Sequence, residues 1–99
     1  MHAQADMWYN MLSIAPILGC ACLSTAGHDK GKLYLVVKVI DPEFVLVADG
    51  TCRKMDNPKK KRFKHIKPLV SLLDEKLMVK LLEGELVDND VHRFLMRNV

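Results

Sequence analysis

A stretch of 99 residues with 49% hydrophobic and 27% charged side chains has the composition of a globular domain and room for one modest core, which excludes several independently folded units. Three cysteines without a paired pattern exclude a disulfide framework and fit a reducing, cytoplasmic setting. The formal net charge of +3 is small, so any electrostatic role rests on how the charges are distributed.

In chain order, residues 1–16 read as a variable extension carrying Trp8 and Tyr9. Exposed chain ends of this kind are commonly disordered. The apolar stretch that ends at Ile17 is interrupted by Ser13 and Pro16 and is too short to span a bilayer. Ile17-Leu18-Gly19-Cys20 looks like a lipoprotein cleavage box, yet the first sixteen residues hold no Lys or Arg and place Asp6 where positive charge is expected. No membrane is therefore expected, and an exported lipoprotein remains a minor alternative. Residues 18–23 instead predict a first strand. Cys20, Cys22 and Cys52 lack a fourth ligand at a familiar metal spacing, so no metal or other cofactor is expected.

Ala26-Gly27-His28-Asp29-Lys30-Gly31-Lys32 is polar and bounded by glycines that can take φ > 0, and it feeds Leu33-Tyr34-Leu35-Val36-Val37-Lys38-Val39-Ile40, rich in β-branched and aromatic residues. A turn followed by a strand is predicted. After Asp41-Pro42-Glu43 a third strand is expected over Phe44-Val45-Leu46-Val47-Ala48, with a hairpin signal at Asp49-Gly50. The chain then turns basic. Residues 53–67 carry Arg53, Lys54, Lys59, Lys60, Lys61, Arg62, Lys64 and Lys67 against the single acid Asp56, a local balance of +7. So many like charges repel one another, and a phosphate backbone is the anion that relieves them. Phe63 and Tyr34 are the nearby rings, both read as anchors of the core before stacking platforms, while Arg53 and Arg62 supply planar guanidiniums.

From Pro68 onward Leu69, Leu72, Leu73, Leu77 and Leu81 fall at three- and four-residue steps, which predicts an amphipathic helix ended by Gly84. A second helix is predicted over residues 90–98, capped by Asp88 or Asn89, with Val91, Phe94 and Leu95 on one face. Residues 68–99 hold six acids against four bases, a balance of −2. Asp29 reads as a turn residue, because no second carboxylate or His stands at an acid–base spacing. No catalytic constellation is present in the sequence, and an enzyme is not expected.

Ser24-Thr25-Ala26-Gly27-His28-Asp29-Lys30-Gly31-Lys32-Leu33-Tyr34-Leu35-Val36-Val37-Lys38-Val39-Ile40, together with Val45-Leu46-Val47-Ala48-Asp49-Gly50 and Asn57-Pro58-Lys59-Lys60-Lys61-Arg62-Phe63-Lys64-His65-Ile66, resembles the KOW-domain RNA-binding proteins, small bacterial relatives of certain large-subunit ribosomal proteins. The resemblance covers about half of the chain and extends loosely to Gly84-Glu85-Leu86-Val87-Asp88-Asn89-Asp90. One position departs from it: His28 stands where such relatives usually carry an arginine. The resemblance implies an SH3-like, partly open β-barrel of about five short strands over residues 17–67, followed by a helical tail over residues 68–99 with two helices. It also implies non-catalytic binding of structured ribosomal RNA on the large subunit, with a ribosomal or translation-factor protein as a further partner. Arg53, Lys54, Lys59, Lys60, Lys61, Arg62 and Lys64 are then expected on phosphates, and Gly27, His28, Lys30, Gly31 and Lys32 in a turn that approaches the RNA backbone. The alternative from another class is a protein-interaction module docking on the translation or transcription machinery.

Overall fold

A computed structural model describes residues 17–97; the expectations for residues 1–16, Trp8 and Tyr9 included, lie outside the described residues. Five strands form one antiparallel sheet: β1 (Cys20–Ser24), β2 (Leu33–Val39), β3 (Phe44–Ala48), β4 (Lys59–Arg62) and β5 (Ile66–Leu72). Their order across the sheet is β4-β3-β2-β1-β5. A 3-10 turn, Phe63–His65, joins the two edge strands, and α1 (Glu75–Leu82) and α2 (Asp88–Arg97) follow. Because β4 and β5 do not pair, the sheet is not closed. The fold is the expected one, mainly β with C-terminal helices and a small, partly open barrel.

The apolar run of β2 explains why the sheet is covered twice. Neighbouring strand residues point to opposite faces, so Leu33, Leu35 and Val37 cannot share a core with Tyr34 and Val36. Tyr34 and Val36 pack with Cys22, Val45, Val47 and Ile66 inside the barrel. Leu35 and Ala21 pack on the other face with Leu81, Leu86, Val91, Phe94 and Leu95 of the helical segment. Each fully buried Leu, Val or Phe contributes about 1.5–3 kcal/mol, so both faces of the sheet are stabilised by burial.

Three boundaries differ from expectation. The stretch after Pro68 is not helical at first: β5 runs to Leu72, with Pro68 opposite Cys22 and Leu72 opposite Cys20. Leu69 and Leu72 fit a helix period by chance, and the backbone of β1, needing a partner on its free side, decides the matter. The helical tail begins only at Glu75, where the Asp74 carboxylate accepts the Leu77 amide at 2.8 Å; Leu73, Leu77 and Leu81 do belong to the core face. The second helix starts at Asp88, and Asp88 is not its cap but accepts the Met55 amide at 2.7 Å. Finally, Asp49-Gly50 opens a longer connection over residues 49–58 instead of a two-residue hairpin. Glycine is required there, because Gly50 has φ +79° and a Cβ would overlap the Asp88 carbonyl where α2 sits down on the turn.

Cys20 and Cys22 are buried in β1 and Cys52 is exposed. The Cys20 thiol donates to the Leu69 carbonyl at 2.8 Å, and burial pushes the Cys22 thiol up to about 12, so neither behaves as a reactive thiolate at neutral pH. Gly19, beside the lipoprotein-like box, is held on both sides: its amide donates to Val36 and its carbonyl accepts from Leu73. Among the described residues no helix is long and apolar enough to cross a membrane.

Candidate nucleic-acid interface

The connection between β1 and β2 is a tight polar turn. Gly27 and Gly31 adopt φ +87° and +88°, which lets the Gly31 amide donate to Ser24 at 2.7 Å and the Ser24 amide donate to Lys32 at 2.9 Å. That closure aims Asp29 at the open end of the barrel, where β4 runs past.

β4 is four basic residues long, and the two-residue strand period divides them. Lys59 and Lys61 lie opposite Val47 and Val45, which are core residues, whereas Lys60 and Arg62 lie opposite Leu46 and Phe44. The inward pair meets Asp29: Lys59 Nζ donates to Oδ2 and Lys61 Nζ to Oδ1, each at 2.9 Å, and Lys61 also donates to the Ala26 carbonyl at 3.0 Å. Ser24 and Tyr34 complete the shell with hydroxyl donors at 2.8 Å to Oδ1 and Oδ2. The Lys61 side chain is only 8% exposed. Burial by itself would push the Asp29 carboxyl up, but the donors from Lys59, Lys61, Ser24 and Tyr34 outweigh it and hold the carboxyl far below the usual carboxylate range. Burial, reinforced by the hydrogen bond to Asp29, pushes the Tyr34 phenol up. Asp29 is thus the ionic hub that fastens the glycine-bounded turn to the barrel edge.

The outward pair faces water around one ring. Lys60 Nζ lies 4.3 Å and the Arg62 guanidinium carbon 5.0 Å from the centroid of Phe44. Among the described residues the acid paired with Arg62, 51% exposed, is Glu43, at 3.9 Å and itself 74% exposed, a pair too open to neutralise it. Lys60, Arg62 and Phe44 line an open groove of about 540 Å³ together with Gly27, His28 and Asp29 of the turn and His65.

Of the residues expected to touch RNA, the fold brings Gly27, His28, Lys59, Lys60, Lys61 and Arg62 to this groove. Lys64 borders a neighbouring depression that shares Arg62. Lys30, Gly31 and Lys54 are exposed outside it. Lys32 turns to the other side of the turn, where it pairs with Asp49 at 3.2 Å and lies 5.6 Å from the Tyr34 ring. Burial there lowers the Lys32 ammonium and the Asp49 contact more than restores it. Arg53 is half-buried, its amide donating to Asp49 Oδ1 at 2.8 Å. Tyr34 is buried within the barrel core, and Phe63 packs against it while remaining partly exposed beside Lys64. The residues that sequence reasoning passed over are Phe44, His65 and Asp29 in its hub role. Phe44 was legible as an outward position of its strand alternating with Val45, but which basic residues would gather on it depended on the β3–β4 register. No protein-family model matches the chain, and no curated protein matches it.

Proposed function

We propose that this is a non-catalytic, cytoplasmic RNA-binding protein that contacts structured ribosomal RNA of the large subunit through the groove between β4 and the glycine-bounded turn. The observation that carries the reading is the joint presentation of Lys60, Arg62 and the Phe44 ring in one open groove. Such a groove offers cations to phosphates and a guanidinium plane or aromatic face to an unpaired base. The resemblance to KOW-domain proteins points the same way. In this reading Lys60, Arg62, Lys64, Lys54 and Lys30 meet phosphates directly, with Arg53 and Lys32 at the margin. Gly27, His28 and Gly31 let the backbone approach, and Lys59 and Lys61 act chiefly by fixing the turn that forms the wall.

The test pairs two measurements. Sedimentation with ribosomal subunits at low and high salt is expected to place the protein with the large subunit, and Lys60→Glu/Arg62→Glu is expected to abolish that migration and flatten the salt dependence by about two charges while leaving the melting temperature unchanged. A double variant that migrates as the parent does would overturn the proposal. The second reading, a protein-interaction module, has its own observation: among the described strands β5 lies at an edge of the sheet, and its Val70 is 97% and its Leu72 50% exposed. A partner retained after nuclease treatment and high salt would favour it.

A further inference from the structure

We propose that the cleft between α1 and α2 is a docking groove for an acidic segment of a partner protein, one that carries carboxylates beside apolar side chains. The cleft, about 420 Å³, opens at the end of β5. Lys76 and Lys80 of α1 and Arg93 and Arg97 of α2 rim it, and Asp74 and Asp90 share its wall. Those two carboxylates offset only part of the charge of four cations. Asp74 accepts the Leu77 amide at 2.8 Å and Asp90 the Val87 amide at 3.3 Å, so each is turned to the start of a helix. Among the described residues no ion pair joins any of the four cations to an acid. The remaining acids of the tail, Glu75, Glu83, Glu85 and Asp88, stay off the cleft, so a segment of negative balance nevertheless presents a cationic face.

Helix spacing sharpens the point. Lys76 and Lys80 are four residues apart, as are Arg93 and Arg97, and like charges at that separation weaken a helix. Both helices carry this repulsion, offset in part on α2 by Asp90 three residues before Arg93, and both direct it at one gap. An anion seated between them relieves the two pairs together.

The floor selects among anions. Leu72, Leu77 and Phe94 line it, with Leu72 half exposed and Phe94 only 6% exposed. A nucleic-acid strand would satisfy the cations, yet it would find no open ring for its bases and would leave the apolar floor wet. A peptide with carboxylates flanking aliphatic side chains satisfies rim and floor at once, and the arginine forks suit carboxylates. The cleft shares no residue with the β4 groove, so this inference stands apart from the RNA reading.

The test is a titration of the isotope-labelled full chain, followed by amide NMR, with three probes: a synthetic Glu/Leu peptide amphipathic at helical spacing, its Lys/Leu counterpart, and an oligouridine strand. Shifts confined to residues 72–80 and 90–97 are expected with the Glu/Leu peptide and none there with the Lys/Leu peptide. Arg93→Glu/Arg97→Glu, both exposed, is expected to weaken that binding about tenfold or more with the signals of the sheet unmoved. Three results would overturn the inference: no cleft shifts with the Glu/Leu peptide, a double variant that binds equally well, or oligouridine occupying the cleft more tightly than the peptide.

Discussion

The inner and outer faces of β4 carry the same kind of residue and have opposite surroundings. Lys59 and Lys61 close on a shared carboxylate that also takes two hydroxyl donors, while Lys60 and Arg62 stand over an aromatic ring in an open groove. One residue along the strand moves a lysine from scaffold to surface. A basic run is therefore not one electrostatic object: its inward members are held by a shared carboxylate within the fold, and its outward members stand most open to a partner.

The hardest way to break this contrast is to remove the hub. Asp29→Ala leaves Lys61 buried without its counter-charge and is expected to cost about 3–5 kcal/mol of unfolding free energy in urea or thermal titration. Acid should do the same gradually. A carboxyl held below its ordinary value contributes stability that is complete above about pH 4 to 5 and drains away as pH falls through the folded value. The parent is thus expected to lose stability on acidification below about pH 4, and Asp29→Asn to lose much of that slope, with Asp49, also held low chiefly by backbone amides of Arg53 and Thr51 against its burial, retaining part. An unchanged acid limb in Asp29→Asn would remove Asp29 from the centre of the argument.

Comparing Lys61→Met with Lys60→Met sharpens the contrast within one strand. The inward substitution is expected to cost about 2 kcal/mol, since it deprives Asp29 of a charged donor, and the outward one to stay within about 0.5 kcal/mol. RNA affinity should rank them the other way round; equal effects on stability would mean that the two faces are not distinct. Smaller again is Tyr34→Phe, which deletes a single donor to Asp29 from a ring that is otherwise buried. A loss of about 1.5 kcal/mol is expected from equilibrium unfolding.

Legibility followed the range of the interaction. The turn at Gly27 and Gly31, the strands β2 and β3 and the core face of α2 could be read from local pattern, because backbone sterics and apolar alternation act over a few residues. The core positions of Tyr34 and, in part, Phe63 are legible in the same way. Residues 68–72 misled, since Leu69, Leu72 and Leu73 satisfy a helix period and a buried strand equally well until β1 supplies a partner. Asp29 looked like one more polar turn residue; its role arises from contacts with Lys59 and Lys61, thirty and thirty-two positions away.

By itself the sequence determined that these residues form a small β-rich fold with helices after it, that one segment concentrates positive charge, and that glycines shape the turn before β2, for each of these rests on composition, short-range sterics or hydrophobic period. The tertiary structure alone decided which lysines are buried and which are exposed, that Lys60 and Arg62 of β4 gather on the Phe44 ring, and that the bases of an acidic tail gather in one cleft. Those outcomes depend on strand register and on how two helices pack, and both are fixed by contacts between residues far apart in the chain.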